Sequence, residues 1–159
     1  MYKTIQENTV NKPIIKMDLP SGTVLIECYP DKAPKHVAQI LSQAEQGMYD
    51  GTVFHRVIQG FMAQGGWTQK SLPQLEAEFN DVPHVEGICS MARTNDPNSA
   101  SDQFFICFGD ARFLDNNYTV WGKVIYGMNH VHNGISKGEP PAEPTPIIRM
   151  RPVDLSSYA

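Results

Sequence analysis

The chain has 159 residues, of which 41% are hydrophobic and 19% charged, a length and apolar content that suit one domain with a substantial core and exclude a disordered chain. Its 13 Lys and Arg against 17 Asp and Glu leave a formal net charge of -4, and without a basic block a nucleic-acid partner is not expected. No run of about 18 apolar residues occurs, so no membrane partner is expected, and the opening MYKTIQENTVNK carries no apolar export signal.

Twelve Gly and twelve Pro cut the chain into short elements, which argues against a helical bundle and for strands joined by turns. The runs KPIIKMDL (12–19) and GTVLIECY (22–29) flank Pro20-Ser21-Gly22 and predict a hairpin. Pro34 can open a helix over about 33–46, in which Val37, Ile40, Leu41 and Ala44 share a face and Gly47 marks the end. Strand-like runs follow at 53–58, 61–67, 87–92, 103–109, 119–127 and 146–153. A short helix is predicted at 128–136, followed by the proline-rich connection GEPPAEPTP. Segments 68–86 and 93–102, with Pro73, Pro83 and Pro97, read as long surface loops, which in compact domains tend to be functional. No repeat or linker divides the chain, so a single domain over 1–159 is expected, with residues 1–11 as an N-terminal extension. The pattern predicts a mainly β fold, a closed eight-stranded antiparallel β-barrel capped by two α-helices, because closure removes sheet edges.

Reactive groups give little support for covalent or metal chemistry. Cys28, Cys89 and Cys107 are odd in number and each lies in an apolar stretch, which suggests buried thiols in a reducing cytoplasm rather than disulfides. The five His residues show no His-Glu-x-x-His spacing, and on a helix His130 and His132 would point about 200° apart. No Gly-x-Ser-x-Gly elbow occurs, and Gly65-Gly66 alone is no phosphate loop. Neither a metal nor a cofactor is expected. Strand alternation does produce mixed faces: Arg56 with Phe54 and Ile58, Met62 with Gln64, Gln103 with Phe105. Such faces suit a shallow apolar groove with polar anchors, although spacing alone favours a solvated strand charge and two surface amides.

The segment FHRVIQGFMAQGG (54–66) resembles the cyclophilin signature. GICSMARTNDPNSASDQFFICF (87–108) is similar to that family's Ser-Met-Ala turn and Phe-Phe-Ile strand, with Asp102 where Ser is usual, and FLDNNYTVWGKVIYGMNHV (113–131) resembles its Phe-Gly-Lys-Val stretch. These blocks occur in the family's order from about residue 12 to 153, and Met-Ala-Arg-Thr looks more bacterial than animal. The resemblance implies a peptidyl-prolyl cis/trans isomerase that assists protein folding without a covalent intermediate, binding proline-containing peptides and unfolded proteins as a monomer. By position, Arg56 would stabilise the twisted amide, with Gln64 orienting it. Phe61, Met62, Phe105 and Leu114 would grip the proline ring, Phe61 counting with the catalytic set. Ala92 and the backbone of Arg93 would line the groove, Gln103 would support its floor, and Phe113 and Tyr118 would close its rim.

Departures from the family pattern qualify this. Phe113 stands where many eukaryotic members have the Trp whose indole N–H cyclosporin uses, so weak cyclosporin binding is expected. Tyr118 replaces a His common in eukaryotic members. Gly66-Trp67-Thr68 and a short 68–80 segment remove part of the wall beside the groove, which leaves open the preference before proline. An alternative reading is a non-catalytic module that binds proline-containing segments, and a purely structural protein on the same fold is a weaker third.

Overall fold

Every strand run expected from the sequence forms in the computed structural model, which describes residues 12–153. The N-terminal extension expected at 1–11 lies outside the described residues. Strands β1 (Ile14–Leu19) and β2 (Gly22–Cys28) make the hairpin, in register from Ile14↔Glu27 to Leu19↔Gly22. Then come helix α1 (Pro34–Glu45), β3 (Arg56–Ile58), β4 (Met62–Gly65), β5 (Ile88–Met91), β6 (Phe104–Cys107), β7 (Val120–Tyr126), helix α2 (Met128–Gly134) and β8 (Arg149–Val153). A 3-10 turn at Arg112–Leu114, which the sequence reading did not anticipate, precedes β7.

The strands form one antiparallel sheet in the order β3-β4-β6-β5-β7-β2-β1-β8. The ladder does not close, which corrects the expected closed barrel. At the seam no ladder joins β3 to β8; isolated bridges, Val53↔Pro146 and Val57↔Gly138, instead tie β3 and the residues before it to the connection that precedes β8. Pro140, Pro141, Pro144 and Pro146 crowd the chain that crosses the seam, and a proline has no N–H to give a ladder. Single bonds from Phe54 N–H to the Thr145 carbonyl and from Ile147 N–H to the Thr52 carbonyl, 2.9 and 2.7 Å, hold the edges together.

Inside the curled sheet lies the main core. Phe104 is its hub: its ring meets Tyr49, Phe54 and Trp121 edge-on, with centroids 5.6, 6.4 and 5.8 Å away. Phe54 is fully buried here, so it does not share the face of Arg56 as alternation suggested. Regular pleating begins only at Arg56, and the preceding residues follow an irregular path. At the β4 exit, Gly66 has φ 80°, and a Cβ there would sit 2.7 Å from the Phe104 ring, so a side chain would both strain the backbone and collide with the hub.

Helix α1 buries Val37, Ile40 and Ala44 as its stripe predicts, and packs toward β8. Its cap comes from elsewhere in the chain. Ala33 offers no side-chain cap, and instead Glu78 accepts the backbone N–H groups of Lys35 and His36 at 3.2 and 2.9 Å. The same carboxylate takes the His36 ring Nδ1 at 2.6 Å. A carboxylate at this end satisfies orphan donors and complements the helix dipole. Burial works to raise the Glu78 carboxyl, but the donors from His36 and Lys35 outweigh it and hold it below its ordinary value of 4.5. With a depressed folded value, the stabilisation is complete above pH 4.5 and lost as pH falls through the folded value. Glu78→Gln is expected to cost about 1 kcal/mol at pH 7, the usual size of a lost cap. Thermal unfolding should show the gap between variant and parent narrowing below pH 4.5.

Candidate active site

The β3–β4 hairpin sets the site. Its register pairs Arg56 with Gln64, Val57 with Ala63 and Ile58 with Met62. Alternation sends Val57 and Ala63 into the main core, leaving the other two pairs on the outer face. On β6 the neighbours of Met62 and Gln64 are Cys107 and Phe105. A second, smaller apolar cluster therefore forms outside the sheet from Met62, Ile88, Phe105, Cys107, Ala111 and Val120, with Phe61, Leu114 and Tyr118 packed at its edge.

Over this cluster lies a cavity of about 140 Å³. Arg56, Phe61, Met62 and Gln64 form one side, and Ala92, Arg93, Phe105, Leu114 and Tyr118 form the rest. All nine were expected from the sequence. Of the other two expected residues, Gln103 accepts a 2.9 Å hydrogen bond from the Gln64 amide. Phe113 stands 71% exposed at the rim, its ring 5.4 Å from that of Phe61. Apolar walls with a few convergent donors are what a small ligand site requires.

The polar groups are arranged differently from the expectation in one respect. Gln64 faces Arg56 across the strands but makes no hydrogen bond to it among the described residues, because its amide turns along the sheet to Gln103. Instead Arg56 Nε donates to Glu139 Oε1 at 3.2 Å. Glu139 comes from the proline-rich connection 83 residues away, and nothing in its local sequence signals the contact. Both side chains are about half exposed, 49% and 56%, so this ion pair aims the guanidinium more than it stabilises the fold. On the opposite rim, Arg93 Nε donates to the Asn117 carbonyl at 2.8 Å while its guanidinium lies 4.7 Å over the Tyr118 ring, a cation–π contact. Tyr118 in turn meets Phe105 edge-on at 5.7 Å.

Asp102, marked above only as an unusual residue, has a structural task. Its Oδ2 accepts both the backbone N–H and the hydroxyl of Thr68, at 3.0 and 2.8 Å, and its Oδ1 accepts the Gln103 N–H at 2.8 Å. This buried carboxylate thus anchors the short loop after β4 beside Gln103. Trp67, 49% exposed, turns away to lean on His55 at 5.8 Å. It borders a larger depression of about 460 Å³. That depression holds none of the expected residues, and its one carboxylate, Asp50, is engaged by Arg151 through two 2.8 Å bonds. The smaller cavity is the better candidate, because there the cationic donor and the apolar floor converge.

Burial pushes the Cys107 thiol up to about 12, leaving it protonated at neutral pH. Among the described residues no group of three or more His, Cys, Asp or Glu is placed to hold a metal ion, and no helix is long and apolar enough to cross a membrane.

A sequence model described as "Cyclophilin type peptidyl-prolyl cis-trans isomerase/CLD" matches residues 14–152. The chain belongs to the cyclophilin family. Bacterial relatives agree: it is 46% identical over 149 residues to a probable peptidyl-prolyl cis-trans isomerase of Brucella abortus, covering 83% of this chain and 73% of that protein. It is also 36% identical over 134 residues to peptidyl-prolyl cis-trans isomerase B of Escherichia coli, covering 74% and 82%. Among solved structures, the cyclophilin AquaCyp293 from Hirschia baltica superimposes with a TM-score of 0.83 at 30% identity, covering 100% of this cyclophilin and 82% of that chain. A Cryptosporidium parvum cyclophilin type isomerase, crystallised in the presence of the dipeptide Ala-Pro, gives 0.80 at 26% identity over 89% and 99% of the two chains.

Proposed function

We propose that this cyclophilin isomerises Xaa-Pro peptide bonds in proline-containing and unfolded chains at the groove around Arg56. The barrier is the partial double bond of the amide, roughly 18–20 kcal/mol. Phe61, Met62, Phe105 and Leu114 hold the proline ring while the preceding residue rotates. The Arg56 guanidinium, planar and always charged, donates to the substrate carbonyl and toward the prolyl nitrogen as its lone pair localises. Gln64, steadied by Gln103, donates to the substrate backbone. No bond is made or broken, so the rate gain comes from donors already aimed and from a partly dry groove.

The observation that carries this reading is the Arg56 guanidinium, opening onto a small cavity with an apolar floor and held from outside by Glu139, while the second guanidinium of the lining, Arg93, is taken up by the Asn117 carbonyl and the Tyr118 ring. The relatives' names support the same activity. A protease-coupled assay on an Ala-Pro-Phe peptide is expected to show exchange far above the spontaneous rate, which runs over about 10–100 s; a rate equal to the blank would sink the proposal. Trp67, in the short loop after β4 where the chain departs from the family pattern, faces His55 and does not line the groove. Work in a reducing compartment such as the cytoplasm fits three buried free thiols.

Weak cyclosporin binding follows from Phe113, whose exposed ring can pack but cannot donate. Titration calorimetry is expected to give a dissociation constant of about 1 µM or weaker. Phe113→Trp should tighten it roughly tenfold, the worth of one recovered hydrogen bond. Nanomolar affinity in the parent chain would contradict this.

A further inference from the structure

Behind Phe105 lies a relay of three polar side chains, two of them buried and the third, Asp115, partly exposed, that the isomerase chemistry leaves unused. His84 is fully buried. Its Nδ1 lies 2.9 Å from Asp115 Oδ1, which also accepts the His84 backbone N–H at 2.8 Å. Its Nε2 lies 2.9 Å from the hydroxyl of Ser90, itself buried. The ring stacks on Phe105, with centroids 6.1 Å apart and planes 18° from parallel.

The network fixes the tautomer. Burial opposes the Asp115 charge, but the His84 donors and the nearby Arg112 hold its carboxyl below the ordinary 3.8. An ionised carboxylate requires the proton on Nδ1, so Nε2 is bare and accepts the Ser90 hydroxyl proton. Three parts of the groove wall meet at this imidazole. Ser90 sits opposite Phe105 in the β5–β6 ladder, Asp115 directly follows Leu114, and the His84 carbonyl accepts the Ala111 N–H at 2.9 Å.

We propose that His84 is a positioning residue for prolyl isomerisation, holding Phe105 and Leu114 in place as a neutral imidazole, so that its protonation loosens the groove and lowers activity in mild acid. This rests on the isomerase reading. Protonated, the ring donates from both nitrogens, and the buried Ser90 hydroxyl proton loses its acceptor at Nε2. The groups facing the relay are Asp115, Arg112, Cys107 and, across Phe105, the Tyr118 phenol; Glu86 is taken up by His132. Across mild acid Asp115 stays ionised, Arg112 stays cationic and Cys107 stays a thiol, so the charge change falls to His84. Burial moves its protonation below the ordinary 6.5, with Asp115 partly offsetting. The neutral form therefore prevails above pH 6.5 and gives way as pH falls through the folded value.

Exchange NMR without a coupling protease measures kcat/KM from pH 8 to 4.5, alongside the Hε1 shift of His84 and the Leu114 methyl and Phe105 ring shifts. In the parent chain a one-proton loss of activity is expected with the same midpoint as all three signals. Asp115→Asn should move that midpoint to lower pH, since the imidazolium loses its counter-charge. His84→Gln should remove it and lower kcat/KM at least fivefold at pH 7.5. A flat parent profile, or an acid limb that persists in His84→Gln, overturns the proposal. The shift titrations read the relay even without turnover, so absence of isomerase activity at every pH would count against the proposed function and not against the coupling of His84 to the groove.

Discussion

Replacing Arg56 with alanine is expected to lower kcat/KM for an Ala-Pro peptide by about 100- to 1,000-fold, the loss typical of removing one preorganised donor from a transition state. The effect should fall on kcat/KM rather than on folding. Arg56 is half exposed and the ion pair it makes to Glu139 is equally so, and such surface changes move stability by about 0.5 kcal/mol or less. Arg56→Lys should recover only part of the loss. An ammonium keeps the charge, but it has neither the planar fork nor the reach to serve the carbonyl and the prolyl nitrogen together. A parallel thermal melt separates the two causes: an Arg56→Ala chain that melts with its parent yet isomerises slowly has lost chemistry alone. If its kcat/KM stayed within threefold of the parent, the guanidinium would have no part in the barrier.

The largest expected effect on stability lies one residue from the groove floor and on the other face of the same strand. Phe104 has no exposed surface and touches three aromatic rings edge-on. Phe104→Ala should cost about 3–5 kcal/mol, from lost transfer energy and from a cavity that these stiff neighbours cannot collapse into. Against a total stability of about 5–15 kcal/mol, and at about 2–4 °C per kcal/mol for a chain of this size, the midpoint should fall by about 10 °C. Phe113→Ala, which removes the same side chain from a position 71% exposed, should leave the melt nearly unchanged. The contrast tests burial directly, because the chemistry of the two deletions is identical.

Much of the fold was legible because local patterns coincide with it. The β-branched runs around Pro20-Ser21-Gly22 became β1 and β2, and the Val37, Ile40, Ala44 stripe became the buried face of α1. The groove lining could be read because its residues fall in three contiguous segments, 54–66, 87–108 and 113–131, that resemble those of the cyclophilin family. What could not be read were contacts between segments distant in the chain. Glu139 reaching Arg56, Glu78 capping α1 and Asp115 reaching His84 span 83, 42 and 31 residues, and no local rule links such positions. Alternation failed at Phe54 for a related reason: period two holds only inside a paired strand, and the pairing with β4 begins at Arg56. The open seam was missed because counting strands says nothing about which edges have donors left to pair.

Exchange NMR on a saturating Ala-Pro peptide tests the central claim most directly, since it observes the bound peptide interconverting. If the groove around Arg56 lowers the barrier, cis and trans signals of the bound peptide will exchange at many times the spontaneous rate in the parent chain and fall back toward it in Arg56→Ala. Shifts that report binding while the two isomers exchange no faster than free peptide would contradict it, and would identify the protein as a proline-binding module on a cyclophilin fold.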